Sequence, residues 1–350
     1  MRRGRRSGLF TIVAVHSTAR GSALGGCRMW TYADTRDAVA DALRLSRAMT
    51  FKAAVADLPL GGGKGVIMRG IGDPPLDPER RRGALLDFAD TVDMLDGRYM
   101  TAEDVGTSDA DMTVIAENTR HVTGLAVERG SSGDPSPWTA LGVQEAVRVA
   151  CERVWGSGDL AERSIAVVGL GRVGGALARS LAEAGARLVV ADVDEGKRPL
   201  ADELGADWTD PDAALLADID VLAPCALGGI LNADTVPALR CRAIAGAANN
   251  QLADESIAER LTERGILWAP DFVANAGGII NIAVELEPEG YAADRAEERV
   301  RAVGGTLRTI FDEAEAAGTT PLVAAMTLAN RRLAEASAPP HAASLGAPPA

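Results

Sequence analysis

Four clusters have residue types and spacings that could do chemistry. The first is Gly169-Leu170-Gly171-Arg172-Val173-Gly174, a GxGxxG run directly after the apolar stretch 164–169. In such a run the first glycine permits a tight turn and the second lets the backbone approach a pyrophosphate. The third lets helix and strand pack closely, and the N-terminus of the next helix then holds the phosphate charge. Asp192 ends the following strand-like run. A carboxylate there binds a ribose 2′-hydroxyl and repels a 2′-phosphate, so NAD is expected over NADP. A glycine-rich turn that binds nothing is the plainer reading, and the register of strand, helix and acid speaks against it.

The second cluster is Lys52, in MTFK, and Lys64, in LGGGKG. Glycines beside a lysine let the backbone fold close to a small ligand. Gly65 stands where a Walker A loop would need Ser or Thr, which excludes that motif. A buried lysine either gives up its proton and acts as a base or stays charged and holds a carboxylate. Taken singly, each lysine also reads as a surface residue. The third cluster, Thr101-Ala102-Glu103-Asp104-Val105-Gly106-Thr107, offers two adjacent acids for proton transfer. The same acids would also serve as an N-cap for a helix starting near Asp109, and both readings stand. The fourth joins Asn249, Asn250 and Gln251 with the run from Pro270 through Asn275 to Gly278. Their amides could bind a carboxamide or a substrate, although Asn and Gly favour turns in any case.

Positioning these clusters takes an alternation of strands and helices. Residues 9–16 read as a strand. A helix over 35–50 follows, with Ala38, Val39, Ala42, Leu43, Leu45 and Met49 at helical spacing and Asp34 or Thr35 as N-cap. The stretch AAVADLPLGGGKGVIM reads as a strand and a glycine-rich turn, with Pro59 stiffening it. A helix is expected over 80–96 and a strand over 99–102. SSGDPSPW (131–138) reads as a linker. Beyond it, a helix is expected over 140–154 and strands over 164–169, 187–192, 219–223, 242–246 and 266–269. A helix over 172–184 closes at Gly185. This alternation implies a parallel, doubly wound sheet. Residues 295–336 are helical in pattern, with Pro321 as a break, and the final SAPPHAASLGAPPA has the composition of a disordered tail.

Length and composition bound the function. The chain has 350 residues, enough for about two domains. With 36 Lys+Arg against 49 Asp+Glu, the net charge of −13 argues against sequence-independent nucleic-acid binding. No apolar run reaches membrane-spanning length, and the basic start MRRGRRSG lacks the apolar segment of a secretory signal. Four scattered Cys without a CxxC and three scattered His make neither a disulfide framework nor a zinc site. A soluble, cytoplasmic, two-domain α/β protein with no metal is expected.

Taken together, the segments resemble the glutamate/leucine/phenylalanine/valine dehydrogenase superfamily, and its leucine and valine members most. The matching stretches are ALGGCRMW (23–30), DALRLSRAMTFK (41–52), LGGGKGVI (60–67), GRYMTAEDVGTSDADM (97–112), VVGLGRVGG (167–175), APCALGG (223–229), GAANNQL (246–252) and PDFVANAGGIIN (270–281). They span nearly the whole chain in order. The resemblance implies an N-terminal α/β substrate domain (1–133) and a Rossmann-type NAD-binding domain (134–320) with a cleft between them. A helix at about 321–336 would pack back on the first domain, and 337–350 would be the tail. It implies reversible conversion of an L-amino acid, NAD⁺ and water to a 2-oxo acid, ammonia and NADH, by a homo-oligomer with neither nucleic-acid nor membrane partners.

Residue by residue, Lys52 matches the lysine that holds the substrate carboxylate. Lys64 matches the catalytic lysine that works with water at the α-carbon. Asp104 matches the aspartate that shuttles the amine proton. Asn249 and Asn275 match asparagines near nicotinamide and substrate, and Thr139 a threonine near the nicotinamide. Leu24, Ala102, Ile279 and Ile282 match the side-chain pocket. All four are apolar, which disfavours a glutamate side chain, and two isoleucines leave less room than smaller residues, which favours valine, leucine or isoleucine. An aromatic or unusual L-amino acid is the alternative within enzymes. A non-catalytic NAD-binding protein is the alternative outside them, and Lys52, Lys64 and Asp104 speak against it. The resemblance also implies a further N-terminal segment ahead of the strand at 9–16, where this sequence has MRRGRRSG.

Overall fold

The computed structural model describes residues 1–126 and 130–337. The first sheet draws on β1 (Arg2–Arg3), β2 (Phe10–Ser17) and β3 (Ala23–Tyr32). The chain then enters α1 (Thr35–Val55), whose N-cap is Asp34, its carboxylate accepting from the amides of Arg36 and Asp37. Next come β4 (Gly61–Gly70), α2 (Pro78–Asp93), β5 (Tyr99–Glu103) and α3 (Asp109–Ile115). The strand order is β1-β2-β4-β3-β5. The sheet is mixed: β2 runs antiparallel to β1 and β4, and β3 runs parallel to β4 and β5.

Three expectations are corrected here. AAV (53–55) ends α1 rather than forming a strand, and Gly61, Gly62, Gly63 and Gly65 lie inside β4 rather than in a turn. Sterics explain the glycines. A Cβ on Gly62 would stand 2.1 Å from the Thr50 amide nitrogen, one on Gly63 2.6 Å from the Tyr99 ring, and one on Gly65 2.3 Å from the Phe88 ring. Helix and strand pack too closely here for any side chain. Ser108, rather than the Glu103–Asp104 pair, caps α3, in a reciprocal capping box with Asp111.

The second sheet begins after α4 (Ser136–Trp155), which closes at Gly156 in the left-handed conformation. The last three residues of the expected linker are therefore the first turn of this helix, with Pro137 in that turn. The chain continues through β6 (Ser164–Val168), α5 (Arg172–Glu183), β7 (Arg187–Ala191), α6 (Arg198–Leu204) and β8 (Asp207–Thr209). It then runs through α7 (Pro211–Leu215), β9 (Val221–Pro224), β10 (Ala243–Ile244), α8 (Ser256–Glu263) and β11 (Leu267–Trp268). The short β8 is an addition to the sequence reading. All strands are parallel in the order β11-β10-β9-β6-β7-β8. That is the doubly wound dinucleotide-binding order, with its switch point between β6 and β9.

Helices α9 (Asp271–Ala274), α10 (Gly277–Glu285), α11 (Ala293–Arg301), α12 (Val303–Ala317) and α13 (Pro321–Ser337) complete the fold. Pro321 opens α13 rather than breaking a helix, and Gly318 in the left-handed conformation makes the break. Helix α13 returns to the first sheet and packs on α1. The Arg332 guanidinium Nη1 donates to the carbonyls of Ala54 (3.2 Å) and Val55 (2.6 Å), and Arg20 Nη1 donates to the Arg332 carbonyl at 3.0 Å. The Val55 carbonyl, at the end of α1, is capped in this way, while the Ala54 carbonyl also accepts from the Asp57 amide at 3.0 Å. The expected disordered tail lies outside the described residues from 338 onward. Among the described residues no helix is long and apolar enough to cross a membrane, and no cluster of His, Cys, Asp or Glu could hold a metal ion.

Candidate active site

At the ends of the parallel strands the two sheets face each other, and the sequence clusters meet there. Lys64 projects from β4 and is 5% exposed. Its Nζ lies 2.8 Å from Asp104 Oδ2, just past the end of β5. Arg28 on β3 donates through Nε to the same Oδ2 at 3.0 Å. Burial alone would raise the Asp104 carboxyl, but the charges of Lys64 and Arg28 outweigh it and hold the group below the usual carboxylate range. Gly26 makes this proximity possible: a Cβ there would stand 2.7 Å from both Asp104 Cβ and the Glu103 carbonyl oxygen. Thr107 completes the support, its Oγ1 accepting from the Asp104 amide at 3.0 Å.

Lys52 approaches from the last turn of α1. Its Nζ donates to Asn249 Oδ1 at 3.2 Å, across to the second sheet. Burial, reinforced by the charge of Lys64, pushes the Lys52 ammonium down to about 8 against the opposing pull of Asp271 and Asp104. Asn275, at the end of α9, donates through Nδ2 to the same Asn249 Oδ1 (2.9 Å) and to the Ala247 carbonyl (3.0 Å). Its own Oδ1 is buried without a partner among the described residues, a polar atom open to a donor. Leu24, Ala102, Ile279 and Ile282 are all buried and belong to one apolar cluster that spans both sheets. Thr139 Oγ1 donates to the Pro135 carbonyl at 3.0 Å, and a Cβ on Gly278 would come within 2.8 Å of it, so α4 and α10 start in close contact.

The glycine-rich loop sits at the switch point. Gly169 has φ +104, and a Cβ on Gly174 would stand 1.9 Å from the Gly169 carbonyl oxygen, so the first and third glycines serve turn and packing. A Cβ on Gly171 would meet no protein atom within 4 Å, and α5 starts with no side chain capping its amides. Open space in front of free helix amides fits a dinucleotide pyrophosphate. Leu170 is buried, whereas Arg172 is 63% exposed at its side chain and reaches over to the first sheet. Its Nη2 donates to Glu103 Oε1 at 3.1 Å, and Nη1 lies 3.6 Å from Asp134. Asp192 binds its own surroundings through both oxygens, accepting from the Leu170 amide at 2.6 Å and the Asp194 amide at 2.9 Å.

The sequence assigned no role to Arg28, and Glu103 was paired with Asp104 for proton transfer or capping, whereas it binds Arg172 of α5. Burial raises the Glu103 carboxyl, Arg172 offsets part of that rise, and Oε2 is buried without a partner among the described residues. A sequence signal for Arg28 existed: strand alternation puts an arginine on a covered face of β3, where a charge needs a partner.

Comparisons with known proteins agree with this geometry. The family model described as Glu/Leu/Phe/Val dehydrogenase, dimerisation domain, matches residues 1–121. The model described as Glutamate/Leucine/Phenylalanine/Valine dehydrogenase matches 199–339. A third, NADP oxidoreductase coenzyme F420-dependent, matches 164–224. The leucine dehydrogenase of Thermoactinomyces intermedius is 44% identical over 331 residues, covering 94% of this chain and 88% of that one. The valine dehydrogenase of Streptomyces albus is 44% identical over 338 residues, covering 95% and 91%. Among solved structures, the L-tryptophan dehydrogenase from Nostoc punctiforme has a TM-score of 0.80 at 38% identity and covers 94% of each chain. The hetero-hexameric glutamate dehydrogenase from Thermus thermophilus has a TM-score of 0.78 at 26% identity, covering 94% of this chain and 84% of the other.

Proposed function

The chain belongs to the glutamate/leucine/phenylalanine/valine dehydrogenase family, and on that premise we propose that it interconverts a branched-chain L-amino acid and its 2-oxo acid with NAD. The amino acid is valine, leucine or isoleucine, and water and ammonia complete the balance. One observation carries the proposal: Lys64 and Asp104 are paired in a cleft whose far wall presents Asn249 and Asn275, with Lys52 between. A nicotinamide dinucleotide is the cofactor, in keeping with the leucine dehydrogenase relatives and the oxidoreductase match over 164–224. NAD is proposed over NADP because the carboxylate of Asp192, with Asp194 and Glu195 close behind it, would repel a 2′-phosphate.

In the proposed mechanism Lys52 holds the substrate carboxylate as a charge-assisted hydrogen bond. Asp104 takes a proton from the α-ammonium group, leaving the amine free to form an iminium. The nicotinamide, when bound, supplies the acceptor for the hydride that leaves the α-carbon. Lys64 then orients water onto the iminium carbon. The C–N bond breaks as the carbonyl forms, and both water protons pass to the departing nitrogen with Asp104 as the shuttle. The proton first taken from the α-ammonium goes to solvent. Leu24, Ala102, Ile279 and Ile282 surround the side chain and keep water from it. Residues 1–133, with α13 packed on α1, form the substrate-holding part, and 134–320 the dinucleotide-holding part. The protein is proposed to act in the cytoplasm as a homo-oligomer.

Similarity to the tryptophan dehydrogenase favours a second reading, an aromatic L-amino acid in the same apolar pocket. Formation of NADH should be followed by absorbance with L-valine, L-leucine, L-isoleucine, L-phenylalanine, L-tryptophan and L-glutamate, each with NAD⁺ and with NADP⁺. Turnover of the aliphatic acids with NAD⁺ is expected. Higher kcat/KM for the aromatic acids would establish the second reading, and turnover of glutamate alone would overturn both.

A further inference from the structure

Asp104 faces a chemical difficulty in its own mechanism. The carboxylate is largely covered, and Lys64, one of its two cations, is also the residue that must attend to water at the α-carbon. If Lys64 turned away from a singly held carboxylate, burial would drive that carboxylate to take up a proton and stay neutral. Arg28 offers an arrangement that avoids this. It is a permanent cation, and its guanidinium is held in turn: Nη1 donates to Asp41 Oδ2 on α1 at 3.1 Å. That same oxygen accepts from the Tyr32 hydroxyl at 2.8 Å, and Asp41 Oδ1 accepts from Arg44 at 2.7 Å. Tyr32, Arg44 and Asp41 therefore fix Arg28, and Arg28 fixes Asp104.

Lys64 and Arg28 both meet Oδ2 of Asp104. Oδ1 accepts no hydrogen bond among the described residues, and the side chain keeps 23% exposure. From this geometry we infer that Arg28 is the positioning residue of Asp104: it anchors Oδ2, leaves Oδ1 as the oxygen that exchanges the amine proton, and keeps the carboxylate charged while Lys64 works on water. The inference rests on the proposed role of Asp104. The other groups with a charge at hand are Lys52 on α1, Tyr99 on β5 and Cys27 on β3. The first favours the carboxylate form. The other two are neutral in the working range, because burial raises both.

The test compares pH profiles of kcat/KM for oxidative deamination in wild type, R28Q, R28K and D41N. An opposite charge within about 4–6 Å lowers a carboxyl by about 1–3 pH units. The acid limb of R28Q should therefore move up by at least about one unit, a loss of about tenfold at a fixed pH on that limb. R28K should recover part of the shift, since one ammonium cannot span both Asp104 and Asp41. D41N should move the limb in the same direction as R28Q, by less. Independently of turnover, the carboxyl resonance of ¹³C-labelled Asp104, assigned by its absence in D104N, should titrate at higher pH in R28Q. Profiles and titrations that superimpose on wild type, or a loss of kcat that is uniform across pH, would overturn the inference. R28K and D41N carry the test if R28Q does not fold. A D104N variant that turns over normally would sink the proposed role of Asp104 itself. An inactive D104N beside an unshifted R28Q would sink only the role of Arg28.

Discussion

Raising the pH should loosen the grip of Lys52 on a carboxylate well before an ordinary lysine would let go. Burial and the nearby Lys64 push its ammonium down to about 8. Only the charged form makes the charge-assisted bond, so the apparent dissociation constant scales as the inverse of the charged fraction. That fraction is about 0.9 at pH 7, about 0.09 at pH 9 and about 0.01 at pH 10. A competitive inhibitor with no titrating amine, such as 4-methylpentanoate, isolates this effect from the ionisation of an amino-acid substrate. Its Ki should hold steady below pH 7.5, rise about tenfold between pH 7 and 9, and rise about a further tenfold by pH 10. The sign follows from the charge, since deprotonation removes the attraction and binding above pH 8 must take up a proton. In Lys52→Arg the rise should vanish, because a guanidinium stays charged throughout. In Lys52→Gln the Ki at pH 7 should be about ten- to hundredfold weaker, the loss of a bond worth about 1.5–3 kcal/mol. A wild-type Ki that stays flat from pH 7 to 10, measured by inhibition of turnover and by calorimetry with NADH present, would refute both the depressed lysine and its placement on the carboxylate.

Gly26→Ala should misplace Asp104, because the new Cβ would stand 2.7 Å from Asp104 Cβ. A fall in kcat of about a hundredfold is expected, with a stability loss of about 1–3 kcal/mol by thermal melting, and an unchanged kcat would count against the site. Asp192→Ala should raise the NADP-to-NAD ratio of kcat/KM by at least about tenfold, since it removes the charge that repels a 2′-phosphate. It should also weaken NAD itself, because the Leu170 amide loses its acceptor. Steady-state kinetics with both cofactors measure this. Arg332→Ala removes the guanidinium bonds to the carbonyls of Ala54 and Val55 and should cost about 1.5–3 kcal/mol in urea unfolding, with the substrate KM rising as α1 and its Lys52 loosen.

Local signals made much of this molecule legible. The GxGxxG run, the strand before it and Asp192 after it lie within one strand–helix–strand unit, so their geometry is set by neighbours in sequence. The parallel sense of the second sheet follows from strand–helix alternation, because a helical crossover returns the next strand in the same direction. The glycines of β4 misled because glycine ordinarily marks a turn. Here they are needed because Thr50, Tyr99 and Phe88 press against the strand, contacts that no local pattern carries. Strand β2 was legible, but its antiparallel pairing with β4 was hidden for the same reason. Charge pairs between distant residues were the least visible. Arg28 and Asp104 are 76 residues apart, and Arg172 and Glu103 are 69 apart. Their pairing depends on register and cleft geometry rather than on spacing. The lysines were visible as residues, but their environments, such as Asn249 opposite Lys52, were not.

The clasp of Arg332 on the end of α1 also sets an order of events during synthesis. The carbonyls of Ala54 and Val55 emerge 278 and 277 residues before the guanidinium that binds them. At about 5–20 residues per second that is a wait of about 15–55 seconds, during which the whole second sheet is made. Over that interval the end of α1 lacks its guanidinium clasp, and Lys52 meets its partner Asn249 only after that residue is made. On the growing chain the dinucleotide half can therefore finish folding before the substrate half does. Helix α13, the last of the described helices to be made, locks α1, so chains released before residue 332 lack that lock.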